Sequence, residues 1–368
     1  MPNTNIHPAT WAALMLLAST LLMALGICVG SVGFENLWAA WFSDEMEQQA
    51  LARQLIWDIR LPRTLGAWAA GALLGLAGAV AQGLFRNALA DPYLLGSSAG
   101  AALGVALMLT ILGGAAGLLS GAVEQGSLSH WLQSWGRRGT GLYSGSLINR
   151  LGLTGAAFAG AMGGVLLTLV LSRGVQHSLR LLLAGVIVGV LLGAMTSLVL
   201  LFSPDSLQAM QAFMLGSVAF VGWNACLIML VVGLPCAFVA WGLARTLDGL
   251  SLGEATAVSL GLPLAQARFA LIGVLALATG TAVAQTGLIA FVGLAAPHLV
   301  RASLRCTHGT LLWCSALAGG VLLCAADIAA RWLIAPQELP VGVLTAVLGG
   351  LFLLRLMHRS QSSLGKIG

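Results

Sequence analysis

The sequence has 368 residues, of which 58% are hydrophobic and only 8% carry a formal charge, and its mean hydropathy is +0.94. Soluble domains have about 45–50% apolar and about 25% charged residues, so this composition excludes a soluble enzyme, a disordered chain and a nucleic-acid-binding protein. The apolar residues form long unbroken runs, which disfavours a β-barrel. At about 20 apolar residues per span, the sequence predicts an all-α polytopic membrane protein with about ten transmembrane helices.

The predicted elements form one transmembrane domain over 1–368. No positive segment precedes the first apolar run, 11–33, and the run exceeds a signal-peptide core, so we expect a retained helix. The other spans are predicted at 62–84, 94–119, 151–171, 180–202, 223–244, 268–286, 288–304, 310–330 and 340–357. A Gly/Ser-rich loop is predicted at 120–150 and a polar loop at 246–262.

The basic residues indicate an orientation. An even number of spans places both termini on one side, and more of the 17 basic residues fall in the inside loops if the termini are cytoplasmic. Cytoplasmic loops of membrane proteins carry such an excess, which also explains the net charge of +5. We therefore predict a multi-pass membrane protein with both termini in the cytoplasm.

Several motifs and residues that the sequence lacks limit the classes of function. The single lysine, Lys366, follows Gly365 at the end of the chain, so no Walker A loop is present and any ATP hydrolysis would belong to another subunit. No acidic residue lies in the middle of a predicted span, which disfavours a proton-coupled transporter, although Na⁺ coupling through backbone carbonyls stays open. The six cysteines form no C-x-x-C pair, and we predict neither a metal site nor an intramembrane enzyme.

Several motifs, in order along the chain, indicate more than a membrane protein of unspecified type. They are Arg60-Leu61-Pro62-Arg63, RNALADPYLLGSSAGA at 86–101, LLLAGVIVGVLLGA at 181–194, Leu252-Gly253-Glu254 with Leu260-Gly261, GLIAFVGLAAPHLVR at 287–301, and Asp327, Arg331 and Glu338 to Gly342. Together they resemble the FecCD-type permeases, the membrane subunits of ABC importers for haem, vitamin B12 and iron-siderophores. The resemblance implies a type II ABC importer permease architecture and a bulky metal chelate as cargo, with haem favoured over cobalamin and ferric siderophores.

The resemblance also implies roles for two sets of residues. Arg60, Arg63 and Arg331 would receive carboxylates of a periplasmic binding protein, for which the planar guanidinium is suited; alternatively they anchor helix ends at the headgroups. A cytoplasmic gate would be formed by Asn87 and Leu89 with His177 and Ser178, unless the first pair marks an ordinary helix-breaking turn.

Two further features have both a structural and a functional interpretation. Gly185, Gly189 and Gly193 share one helix face and predict either a tight helix contact or a helix that lines the pathway. The loop 246–262 would be a pair of short helices that couples to the ATPase, or else a simple connector. The expected coupling residues are Leu250, Gly253, Glu254, Ala257, Leu260 and Gly261.

The resemblance implies a complete transport assembly. It comprises a homodimer of this chain in lipid, two ATP-binding cassette subunits that hold ATP and Mg²⁺, and one periplasmic substrate-binding protein. The chain itself would hold no cofactor, bind no nucleic acid and make no covalent bond. A secondary transporter driven by an ion gradient is the alternative, and it would need no ATPase.

Overall fold

The computed structural model describes residues 7–30, 33–34, 46–122, 147–172 and 178–364, and within them the chain is almost entirely helical. The first helices are α1 (Pro8–Cys28), α2 (Met46–Gln54), α3 (Leu61–Phe85), α4 (Ser97–Ala122), α5 (Leu147–Leu171), α6 (Ser178–Phe202) and α7 (Leu207–Leu215). The rest are α8 (Trp223–Gly242), α9 (Ala244–Ser251), α10 (Glu254–Ser259), α11 (Leu264–Thr286), α12 (Val292–Ser303), α13 (His308–Trp332) and α14 (Val341–Leu364). The all-α prediction is confirmed.

Four short elements complete the described chain. A π-helical segment, Leu55–Arg60, joins α2 to α3, and a 3₁₀ turn, Pro204–Ser206, precedes α7. The strands β1 (Val29–Gly30) and β2 (Gly33–Phe34) pair antiparallel. Most of the predicted 120–150 loop lies outside the described residues.

Within the described residues, seven helices are long and apolar enough to cross a membrane, and two shorter apolar stretches lie inside α4 and α14. Their positions agree with nine of the predicted spans. The tenth predicted span, 288–304, is helical only from Val292 to Ser303. Helix α12 has 12 residues, which gives a length of about 18 Å, against a hydrocarbon core of about 30 Å.

A non-helical segment, 287–291, precedes α12. Its backbone is irregular, since Gly287 and Phe291 have φ values of 69° and 68°. Five residues reach at most about 16 Å, so the segment adds to the length that α12 spans. Irregular backbone is tolerated at this depth only where protein satisfies its polar groups. The Leu288 N–H donates to the Phe213 carbonyl at 3.1 Å, and the Ile289 carbonyl accepts from the Tyr93 hydroxyl at 3.0 Å.

Helix α3 is the centre of the fold and packs against α13, α11, α12 and α8. Its sequence is rich in alanine and glycine, so neighbouring backbones approach closely, as is usual in membrane interiors. Gly71 faces Gly319 of α13, and Gly78 faces Gly293 of α12. A methyl group at any of these four positions would meet backbone or side-chain atoms of the neighbour, so the contacts require glycine.

The loop 86–96 folds back into the protein after α3 ends. Pro92 contacts Gly293, which lies beside Leu74 and Gly78 of α3. Gly78 is seven residues before the end of α3, which is about 10 Å along the helix axis. The loop therefore folds back alongside α3 by about that distance. The Leu95 carbonyl accepts from the Thr168 hydroxyl of α5 at 2.9 Å, which fixes the loop between α3 and α5.

Candidate functional site

Four charged side chains form an ion-pair network where α3 begins and α13 ends. Asp327 and Arg331 lie one turn apart on α13, each is 1% exposed, and the Arg331 guanidinium donates twice to the Asp327 carboxylate. Arg63 reaches the other Asp327 oxygen at 3.0 Å and Glu338 at 2.9 Å. Two cations therefore neutralise two anions, as the burial of charge requires.

The same end of the fold holds the C-terminus of α1. Arg331 donates to the carbonyl oxygens of Gly26 at 2.9 Å and Val29 at 3.1 Å, and Arg60 donates to the Ile27 carbonyl at 2.9 Å. Carbonyls in the last turn of a helix lack partners within the helix, and cations are favourable there. The arginines thus complete the hydrogen bonding of α1.

These contacts bear on the predicted docking role. Arg60, Arg63 and Arg331 are 8%, 9% and 1% exposed, and each has its polar partners inside the chain. The contacts favour the interpretation as helix-end anchors, with the correction that the anchoring occurs in the protein interior and not at lipid headgroups. Docking of a binding protein at these residues stays a prediction.

The predicted gate residues Asn87 and Leu89 share one turn after α3. Arg86 ends the helix in the left-handed conformation with a φ of 49°, and the Asn87 N–H donates to the Gln82 carbonyl at 3.2 Å. The Asn87 side chain then accepts from the Leu89 N–H at 2.9 Å. Leu89 is 53% exposed. His177 lies outside the described residues, and of Ser178 only its place at the start of α6 is described.

A cavity of about 340 Å³ lies where loop 86–96 meets α6. It is lined by Asp91, Tyr93, Leu94, Gly96, Ser98, Ala99, Gly185, Val186 and Gly189. Asp91 accepts from the Tyr93 N–H at 2.8 Å, and burial raises the pKa of its carboxyl. Asp91 lies outside the middle of every predicted span, as the sequence analysis expects, and the folded-back loop makes it part of the cavity lining.

The glycine stripe of α6 divides into two parts. Gly185 faces the Leu94 carbonyl so closely that a methyl group would overlap it, which is the predicted tight contact. Gly189 and Gly193 face open space within the chain, and Gly189 lines the cavity. The contact interpretation therefore holds for one glycine, and the pathway interpretation stays a prediction for the other two.

The loop 246–262 contains most of the short helix α9 and all of α10. Leu250 and Ala257 are fully buried, whereas Leu260 is 61% exposed. Gly253 and Gly261 have φ values of 110° and 74°, a region that favours glycine, and they end the two helices. A simple connector would not bury its apolar residues, so the structure has the two-helix form that the sequence analysis expects.

Ion pairs fasten this loop to the membrane-spanning helices. Glu254 at the start of α10 contacts Arg268 of α11 at 2.5 Å and Arg86 at the end of α3 at 3.7 Å. Asp248 of α9 accepts from both the backbone N–H and the imidazole of His308, which begins α13, at 3.0 and 2.7 Å. Three spanning helices therefore meet the loop through charged contacts.

The sequence matches the FecCD transport family over residues 15–359. This match spans nearly the whole chain. The chain belongs to the FecCD transport family. It is 35% identical to the hemin transport system permease protein HmuU of Yersinia pestis over 98% of both chains. It is 35% identical to the vitamin B12 import system permease protein BtuC of Vibrio cholerae over 92% of both.

A solved structure supports the same assignment. It is described as an inward-facing conformation of a metal-chelate type ABC transporter, and this FecCD chain matches it with a TM-score of 0.73 and 27% identity. The alignment covers 95% of this chain and 99% of the other. The predicted type II importer permease fold is therefore confirmed.

The FecCD chain holds functional candidates that sequence reasoning quoted in motifs without giving them a role. Asp327 and Glu338 bind Arg63, Asp91 lines the cavity, and Arg86 contacts Glu254. The four-residue spacing of Asp327 and Arg331 is the one signal that could have indicated a pair, since such residues are neighbours on a helix. The other contacts join distant parts of the sequence.

Asp91 provides a test of the cavity lining. We expect Asp91→Asn to keep the acceptor for the Tyr93 N–H while it removes a half-buried charge, so its thermal stability in detergent should equal or exceed that of the unaltered chain. Asp91→Ala loses the acceptor and should cost about 1 kcal/mol. A lower melting temperature for Asp91→Asn than for Asp91→Ala would contradict this account.

Proposed function

We propose that this FecCD chain is the membrane-spanning permease subunit of a binding-protein-dependent ABC importer for a bulky metal chelate. The observation that carries the proposal is the 35% identity with a hemin transport permease over 98% of both chains. Haem is the favoured cargo, and cobalamin and ferric siderophores come next. Family membership does not favour the ion-gradient-driven transporter.

The proposed assembly is a homodimer in the bacterial inner membrane with both termini cytoplasmic. Two ATPase subunits, which bind ATP and Mg²⁺, would lie on its cytoplasmic side, and one binding protein would lie on its periplasmic side. Exposed apolar side chains on α6, such as Leu183, Ile187 and Val190, offer a surface for lipid or for the second copy. This chain would bind no cofactor and would make and break no bond.

The proposed mechanism is alternating access. The loop 246–262 would receive the movement of the ATPase dimer, and the turn of Asn87 and Leu89, with His177 and Ser178, would narrow the exit. The face of Gly189 and Gly193 would border the pathway. In transporters, interrupted helices near the membrane midplane mark binding sites, and here loop 86–96 meets segment 287–291 through the bond from Tyr93 to Ile289.

Transport into proteoliposomes tests the proposal. The liposomes would hold this chain with its co-purifying ATPase, ATP on the ATPase side and the binding protein on the other side, and haem, cobalamin and a ferric siderophore would be offered in parallel. We expect ATP-dependent uptake of one cargo. Uptake that follows an ion gradient and ignores ATP would overturn the proposal and favour a secondary transporter.

A bulky side chain at Gly189 should block the pathway. Gly189→Leu adds its side chain to open space at the cavity, so we expect a folded complex with uptake reduced by about tenfold, which corresponds to about 1.4 kcal/mol of steric opposition. Gly163→Leu on α5 is the matched control, because that glycine also faces open space but does not line the cavity. Equal uptake by both variants would remove Gly189 from the pathway.

A further inference from the structure

Glu254 occupies a junction between the two-helix loop and two spanning helices. One carboxylate oxygen is 2.5 Å from the Arg268 guanidinium on α11 and 3.7 Å from the Arg86 guanidinium at the end of α3. Arg86 is the residue immediately before Asn87, in the turn proposed as the cytoplasmic gate. A single side chain thus connects α10 to that turn.

The two ion pairs differ in how firmly they are held. The Arg268 side chain is 6% exposed, so the adjacent Glu254 carboxylate offsets part of the cost of burying its charge. The side chains of Arg86 and Glu254 are 42% and 34% exposed, and water can replace either one. An exposed pair changes an equilibrium by only about two- to fivefold, so the Arg86 contact can break and re-form in each transport cycle.

The backbone on both sides constrains the junction. Gly253, with its φ of 110°, turns the chain directly before Glu254. The Ala257 N–H donates to the Gly253 carbonyl at 3.0 Å. On the other side, Arg86 has a left-handed backbone and begins a turn that two hydrogen bonds stabilise. The Asn87 N–H donates to the Gln82 carbonyl, and the Leu89 N–H donates to the Asn87 side chain. A displacement of α10 therefore acts on a defined turn and not on a loose loop.

We propose that Glu254 is a positioning residue that transmits movement of the α9–α10 loop to the turn 86–90 through Arg86, with Arg268 as its fixed attachment to α11. This inference rests on the proposed function, and it assigns to Glu254 an internal partner in place of a direct contact with the ATPase. The alternative is that Glu254 only stabilises the start of α10.

The test measures the amount of cargo imported per ATP hydrolysed by the complete complex in proteoliposomes. The cargo probe is haem, or whichever of the three cargoes the unaltered chain imports. We expect Arg86→Gln to lower this ratio about two- to fivefold and Arg86→Lys, which keeps the charge, to restore most of it. Glu254→Gln should lower the ratio more, because it also leaves Arg268 without its carboxylate. The double variant should match Glu254→Gln alone, since both substitutions break the same connection.

The matched control is Arg305→Gln. Arg305 is an exposed arginine after α12 for which the described part of the chain gives no ion pair, and we expect the ratio of the unaltered chain. A normal ratio in Arg86→Gln would overturn the inference, as would additive effects in the double variant. If the unaltered chain shows no ATP-dependent uptake of any of the three cargoes, the proposed function fails, which is distinct from failure of the Glu254 connection.

Discussion

Arg331→Met should lower the free energy of unfolding by about 3–5 kcal/mol, because it leaves the Asp327 carboxylate buried with half of its cationic partners removed. Asp327 and Arg331 are each 1% exposed, so water cannot replace the lost contact. The substitution also removes the donors to the Gly26 and Val29 carbonyls at the end of α1. Denaturant titration of the detergent-solubilised chain measures the change.

A second variant separates charge from packing. In Arg331→Met with Asp327→Leu, the uncompensated carboxylate is gone and Arg63 keeps Glu338, so we expect part of the lost stability to return. The α1 carbonyls still lack their donors, which leaves a deficit of about 1–3 kcal/mol. Arg305→Met, at an exposed position, serves as the control and should change little. Unaltered stability in the single Arg331 variant would show that the network contributes nothing.

Long apolar runs allowed most of the fold to be predicted. A run of about 20 apolar residues can form a membrane helix with all its backbone hydrogen bonds inside itself, so its position depends on local sequence alone. The non-helical start of the run 288–304 was not predicted, because it depends on partners far along the chain. Phe213 and Tyr93 satisfy the non-helical backbone that begins after Gly287, and neither lies near it in sequence.

The charged contacts show the same limit. The pair of Asp327 and Arg331 is local and could be read from its spacing, but Arg63 lies 264 residues from Asp327. Sequence spacing does not report such a contact, so the internal partners of the arginines were not predicted. The place of Asp91 in the cavity lining was not predicted for a related reason, since it depends on loop 86–96 folding back against α12.

The two-helix form of loop 246–262 was easier to predict because its signals are local. Gly253 and Gly261 mark the ends of α9 and α10, and a polar segment with apolar positions at Leu250 and Ala257 indicates helices that cover a surface. The ion pairs of Glu254 with Arg268 and Arg86 were not predictable, because three separate helices must first assemble.

The glycine contacts of α3 give the second large prediction. Gly78→Ala places a methyl group into the carbonyl oxygen of Gly293, and neither backbone can rotate away as a side chain could. The intrinsic helix propensity of alanine favours the substitution by about 1 kcal/mol, so any loss comes from the contact. We expect a net loss of about 3 kcal/mol or more, at the upper end of the cost of overpacking.

Gly273→Ala on α11 is the matched control, because a methyl group there meets no atom within 4 Å. It should be neutral or slightly stabilising in the same unfolding titration. Equal stability of the two variants would mean that α3 and α12 can separate freely. We expect the opposite, because α12 is too short to cross the membrane alone and depends on α3, whose Gln82 amide also donates to the Leu294 carbonyl at 3.3 Å. The backbone and a side chain of α3 thus both contact α12, and the contact at Gly78 is too close to accept a methyl group.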